Sequence, residues 1–235
     1  MFGLTIGDKH TYNDFGLMMT SFYIPLPVTK TNQIEIPYSS GSIDLTEITG
    51  NPTFKDREGL RFEFAIHDKD WDSVERLKTR MAMYLHGRKL KMIPDNDLSY
   101  YYMARFEVNA EKEHKSYSKI ILTGTAEPYK YDIIASDEPW LWDPFSFVDG
   151  VIRSSSNITV HSGDTFTILG AGVATPPTFI VSQSNNLAVS AGGAYYSMPS
   201  TGVYKFPQIQ VGAEDVTLTF SGSGKLSISY RGRYL

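Results

Sequence analysis

Hydroxyl nucleophiles are abundant in this chain, but their partners are misplaced. Four of the five histidines fall before residue 140 and most serines fall after it. A Ser-His-Asp relay needs all three groups within hydrogen-bond reach, and no Gly-x-Ser-x-Gly elbow presents a serine to such a relay. Metal ligation is equally thin. Asp8-x-His10 and the adjacent His67-Asp68 are the two available pairs, and neither has a helix-spaced histidine partner; both read as solvated strand-edge or loop residues. With no cysteine in the chain, thiolate catalysis, cysteine-bound metal and disulfides are excluded. Ser221-Gly-Ser-Gly-Lys225 has the composition of a phosphate loop but stands between two strand-like runs, with no helix for it to open. It reads as a hairpin turn. Paired carboxylates for glycoside hydrolysis can form across space, although the acidic residues here gather in polar turns and on one helix face. No catalytic, cofactor-binding or metal-ligating residue is assigned.

Aromatic residues offer a second chemistry, binding. Trp140 and Trp142 could form a stacking platform for sugar, the mark of a carbohydrate-binding module. Their neighbours Pro139 and Pro144 favour the packing of a linker. Tyr100, Tyr101 and Tyr102 lie on a strand whose alternation buries the middle ring and exposes its neighbours, or the reverse. Exposed tyrosines suit a protein interface. The charged turn Glu111-Lys-Glu-His-Lys115 follows on the same segment, so Tyr100, Tyr101, Tyr102, Lys112 and His114 are the interface candidates.

The elements that position these residues follow from periodicity. Phe2 to Ile6, His10 to Met19 and Gln33 to Ile36 read as strands, the last as a half-buried one. In residues 57–67, Leu60, Phe62, Phe64 and Ile66 share one face. The period then changes: Val74, Leu77, Met81, Tyr84 and Leu85 recur at helical spacing, with Asp68 and Asp70 as capping candidates and Gly87 as the stop. One helix is predicted over about 70–86. A strand follows over 88–93, and 98–108 with 116–126 form a long hairpin. From residue 150, Ser and Gly supply roughly a quarter of the chain between short β-type runs, the pattern of an antiparallel sandwich of eight or so short strands. Asn185-Asn186 and Ser221 to Gly224 are read as its hairpin turns.

Charge divides the chain too. Residues 1–140 hold 17 basic and 21 acidic residues and the remainder 5 of each, so the net charge of −4 belongs to the first part. No basic stripe marks nucleic-acid binding, and no run approaches the roughly 20 apolar residues of a membrane span. The N-terminus also lacks the features of a signal peptide, which predicts a soluble protein. The expected organisation is a domain over 1–135, a linker over 136–149 and a second domain over 150–235.

Gly7-Asp-Lys-His-Thr-Tyr-Asn-Asp-Phe-Gly-Leu17, Pro25 and Pro27, Lys30-Thr-Asn-Gln-Ile-Glu-Ile-Pro37, Gly41-Ser-Ile-Asp-Leu-Thr-Glu47 and Gly50 resemble, in order and spacing, the distal tail proteins of long non-contractile-tailed phages that infect Gram-positive bacteria. Arg57-Glu-Gly-Leu-Arg-Phe-Glu-Phe64, Trp71, Ala126-Glu-Pro-Tyr-Lys-Tyr131 and the closing Leu226-Ser-Ile-Ser-Tyr-Arg-Gly-Arg-Tyr-Leu235 are similar to later parts of that family. Two positions depart from it: Tyr38 stands where the family has glycine, and Arg233-Tyr234 replaces small residues near the end.

The resemblance implies a mainly β fold, with an N-terminal β-sandwich ring (belt) domain containing one helix and a long hairpin, and a C-terminal galectin-like β-sandwich. It further implies a non-enzymatic homohexameric ring at the virion tail tip, assembled in the host cytoplasm and passing DNA through its lumen without specific binding. The ring would join the tail tube protein and tape measure protein to the tail-associated fibre or lysin and, in some phages, to receptor-binding proteins. The histidine, asparagine, arginine and tryptophan pattern with which galectins hold sugar is missing, so the resemblance implies no sugar-binding residue.

Overall fold

The computed structural model describes residues 2–38, 40–48, 50–67, 70–114, 117–148 and 150–235, and the side chains of all of these except 67, 112–114 and 117. The chain divides into two compact units, one from residues 1–97, 101–130 and 235, the other from 98–100 and 131–234. The fold is mainly β, with a single helix among the described residues.

The first unit contains β1 (Leu4–Ile6), β2 (Lys9–His10), β3 (Met18–Tyr23), β4 (Gln33–Glu35), β5 (Ser42–Asp44), β6 (Arg57–His67), α1 (Trp71–Leu85), β7 (Lys89–Pro94), β8 (Tyr100–His114) and β9 (Tyr117–Ala126). Seven of these strands form one antiparallel sheet in the order β2-β1-β7-β8-β9-β6-β3. Leu60, Phe62, Phe64 and Ile66 of β6 point to one face and are buried, as their alternation predicts. They share a core with Phe106 and Val108 of β8, Ile120 and Leu122 of β9, and Val74, Leu77, Met81 and Leu85 of α1. The helical spacing thus places the apolar stripe of α1 on the sheet. Asp70 caps α1 by accepting a hydrogen bond from the Ser73 N–H at 2.9 Å; the other capping candidate, Asp68, lies outside the described residues. Gly87, at φ 71°, takes the chain out of the helix in a conformation that favours glycine.

Two expectations for this unit change. The run from His10 to Met19 is not one strand, because a turn over 11–15 separates β2 from β3. The strand at Gln33 is not half-buried: β4 and β5 form a two-stranded sheet of their own, and Ile34, Ile36 and Ile43 are exposed. Alternation there reflects pairing of Ile34 with Ile43 across the ribbon, without a layer beneath.

The second unit contains β10 (Lys130–Asp132), β11 (Ile158–Val160), β12 (Thr165–Ile168), β13 (Thr178–Ala191), β14 (Ala194–Met198), β15 (Gly202–Lys205), β16 (Val216–Ser229) and β17 (Arg233–Tyr234). Its sheet is built on β13 and β16, each 14 residues long and paired with one another. Each end of β16 has its own short neighbour, β12 or β11, and each end of β13 has β15 or β14.

The two segments read as hairpin turns are therefore the middles of these long strands, facing each other. Asn185 pairs with Ser223, and the register shifts before Ala188 pairs with Ser221. Asn186 and Gly222 both have positive φ, and a Cβ on Gly222 would collide with the Asn186 carbonyl oxygen. Paired bulges of this kind bend and twist a strand pair. Val160, Ile168, Phe179, Leu187, Val189, Phe220 and Ile228, drawn from both ends of the sheet, consequently share one core.

Candidate functional site

The polar pairs singled out in the sequence are occupied with structure. Asp8 accepts from the Tyr84 hydroxyl, which holds its carboxyl below the usual value. His10 lies 3.0 Å from Asp95 through Nε2, while its Nδ1 accepts from the Tyr12 and Asn13 N–H groups at 3.2 Å each. The proton therefore sits on Nε2 and faces a carboxylate. Asp8 and His10 are thus engaged by different partners. The side chain of His67 and all of Asp68 lie outside the described residues. Among the described residues, no group of three His, Cys, Asp or Glu side chains could hold a metal ion, and no helix is long and apolar enough to cross a membrane.

The interface candidates fall into different environments. Tyr102 is only 9% exposed and belongs to the core of the first unit, where the Arg57 guanidinium lies 5.4 Å from its ring centre. Tyr101 is half-buried beneath the ammonium of Lys91, at 4.4 Å. Tyr100 is half-buried and packs edge-on against Tyr234 within the second unit. Alternation thus buries Tyr102 on the core side of β8. Lys112 and His114 lie near the end of β8, paired with Ser118 and Tyr117 of β9; their side chains are outside the described set.

Two surfaces stand out, one in each unit. In the first, Ile34, Ile36, Ile43 and Ile48 of the β4–β5 ribbon and its flank are exposed. So are Phe22 and Tyr23 of β3, an edge strand of the large sheet. Unpaired edges and apolar side chains together are what an assembling β protein must cover.

In the second unit, the segment read as a linker bears a chain of edge-to-face aromatic contacts. Trp140 meets Trp142 and Phe145, and Phe147 meets Trp142 and Phe145, all with centroids 5.2 to 5.6 Å apart. Trp142 remains 66% exposed. The tryptophans pack on one another and on Phe145 and Phe147, and both keep part of their surface in solvent.

Beside them lies a cavity of about 50 Å³ lined by Asp132, Trp140, Phe145, Arg153, Tyr100 and Tyr234 among others. Arg153, 7% exposed, donates from Nη1 to Asp132 at 2.5 Å and from Nη2 to the Gly170 carbonyl at 2.7 Å and the Tyr234 hydroxyl at 3.3 Å. Asp132 also accepts from the Gly232 N–H at 3.0 Å. Burial raises the Asp132 carboxyl, against the opposing pull of Arg153 and that N–H. Burial also pushes the nearby Tyr230 phenol up to about 12, where it serves as a donor to the Leu169 carbonyl. The Nε of Arg153 is buried with no hydrogen-bond partner among the described residues.

Sequence reasoning singled out Trp140 but missed the polar side of this site. Asp132 and Arg153 flank the segment read as a linker, and Gly232 lies 100 positions from Asp132, so spacing gave no signal. Two hints stand in the sequence, Trp140 as a candidate stacking platform and the departure at Arg233-Tyr234, since Trp140 and Tyr234 both line the cavity.

No family model matches the chain, and no curated protein matches it. Among solved structures, the fold is similar along 100% of both chains, with a TM-score of 0.67 and 12% sequence identity, to the crystal structure of SPP1 Dit (gp 19.1), described as a paradigm of the hub adsorption apparatus in phages infecting Gram-positive bacteria. The fold of this chain is thus similar to that of SPP1 Dit over its whole length.

Proposed function

We infer that this protein is a structural hub of a phage tail tip: a hexameric ring that joins the tail tube and tape measure proteins to the tail-associated fibre or lysin, with a lumen through which DNA passes. The observation that supports it best is the similarity of fold to SPP1 Dit over both chains in full. Composition agrees, because the sequence lacks recognisable catalytic machinery and a basic stripe.

In this reading residues 1–135 form the ring and residues 150–235 an outer galectin-like domain that can hold receptor-binding proteins. The ribbon isoleucines and the β3 edge supply surface that ring closure would cover, since a closed cyclic assembly removes exposed edges. Tyr100, Tyr101, Lys112 and His114 remain interface candidates, and Tyr102 acts from the core side by supporting β8.

Light scattering on the purified full chain tests the reading. A ring of six gives six times 26.4 kDa, about 158 kDa, or a multiple of it for stacked rings. A strict monomer at tens of micromolar would overturn it.

A further inference from the structure

The geometry points to a saccharide-binding site in the second unit, in which the cavity between Trp140 and the Asp132–Arg153 pair receives the edge of a neutral sugar ring. The second unit alone supplies every residue of this site, so the inference does not rest on the ring.

Three observations select the ligand class. The first is the Nε–H of Arg153, buried and unpartnered among the described residues. A buried donor without an acceptor is costly, and it lies on a side chain that lines the cavity. Nε is closed to solvent as the side chain stands, so a ligand oxygen satisfies it once the guanidinium turns toward the cavity, and a hydrocarbon satisfies it in neither position.

The second is charge. Asp132 sits 2.5 Å from Arg153 and cancels it, so the cavity has no surplus positive charge to draw a phosphate or carboxylate. It does have a carboxylate to accept from a ligand hydroxyl, a guanidinium N–H to donate to one, and the Tyr234 hydroxyl, which can do both. A polyol matches that set.

The third is the aromatic wall. Trp140 and Phe145 line the same cavity, and Trp140 is 38% exposed at its mouth. Sites that combine an apolar wall with a few convergent polar groups orient ligands having one face of each kind. A pyranose ring has both, its C–H groups on a face and its hydroxyls around the edge. The volume of about 50 Å³ admits a few water-sized groups. It therefore takes one or two hydroxyls or a hydroxymethyl group, while the rest of the ring lies over the exposed indoles of Trp140 and Trp142. Such a site would read the end or the edge of a glycan.

The test is ligand-observed saturation-transfer NMR on the full chain with the methyl glycosides of glucose, galactose and N-acetylglucosamine. At least one should receive saturation and show a binding isotherm. Trp140→Ala should weaken it by about tenfold or more, and Arg153→Lys, which keeps the charge opposite Asp132 but loses Nε–H, should do likewise. Trp140→Ala removes a partly exposed ring, so its thermal unfolding should stay close to that of the parent and binding remains readable even if Arg153→Lys fails to fold. No transfer to any of the three glycosides at about 20 mM, or undiminished transfer in Trp140→Ala, would overturn the inference. Displacement of the glycoside by inorganic phosphate would overturn it as well, because it would show an anion site. A ring by light scattering without sugar binding sinks this inference alone.

Discussion

Tyr38 sits in the left-handed region, φ 64°, with its side chain fully in solvent, at the position where resemblance to the distal tail proteins leads one to expect glycine. An L-residue there costs roughly 1 to 2 kcal/mol, against about 0.5 to 1 kcal/mol of extra chain entropy that glycine loses on folding. Strain outweighs entropy. Tyr38→Gly should therefore raise stability by about 0.5 kcal/mol, read as a higher urea midpoint at unchanged slope. Arg57 presents the opposite case, a buried charge held by backbone alone: Nε donates to the Pro128 carbonyl at 2.9 Å and Nη1 to the Pro25 carbonyl at 2.7 Å. Arg57→Met keeps the packing on Tyr102 but leaves two acceptors without donors, and should cost about 2 to 3 kcal/mol in denaturant unfolding. A loss below 0.5 kcal/mol would mean that water replaces both bonds.

At the level of elements, hydroxyl and backbone donors hold three carboxyls low: Tyr84 that of Asp8, Thr46 that of Asp44 and Ser73 that of the helix cap Asp70. A carboxyl whose folded pKa is depressed contributes stability that is complete above its unfolded value, 3.8, and is lost as the pH falls through the folded value. Asp132, raised by burial, works in the other sense, its contribution fading as the pH rises through its folded pKa. With three groups against one, the melting temperature should drop as pH falls below about 4. Asp70→Ser keeps a capping oxygen without a titrating group, so its melting curve at neutral pH should match the parent while its acid limb becomes shallower. Circular dichroism at the α1 band reads both.

The elements legible in the sequence were those whose signal is internal to one segment. The β6 alternation and the α1 stripe each depend on residues within about 15 positions, and both stand where periodicity put them. Elements defined by distant partners were misread. Asn185-Asn186 and Ser221 to Gly224 have the composition of hairpin turns because bulges and turns both draw on residues that tolerate positive φ; only their pairing with each other distinguishes the two. The ribbon was misread for a related reason, since alternation says which side chains share a face and not whether a layer covers that face. If the ribbon face is covered on ring closure, Ile34→Ser with Ile43→Ser should leave the melting temperature of the chain within about 0.5 kcal/mol equivalent, as exposed substitutions do, while shifting light scattering from the hexamer towards the monomer.

For the whole molecule, charge and apolar surface make opposing demands on assembly. Each chain bears −4, and the part proposed to form the ring, residues 1–135, holds 17 basic and 19 acidic residues, a net −2 of that total. Six copies would gather a net −24, from six times −4, and like charge on that scale opposes association while favouring the free passage of another polyanion. The isoleucines of the ribbon and the aromatics of the β3 edge favour association, and their contribution is insensitive to moderate salt. The Debye length shrinks from about 30 Å at 0.01 M to about 8 Å at 0.15 M, so added salt screens the repulsion and leaves the apolar contribution intact. Closure driven by apolar surface should therefore strengthen: at a fixed protein concentration near the dissociation midpoint, the hexamer fraction by analytical ultracentrifugation should rise between about 0.01 M and about 0.15 M NaCl. A fall over the same range would show that ion pairs hold the ring, with Lys112 and His114 at the end of the β8–β9 hairpin the first residues to substitute.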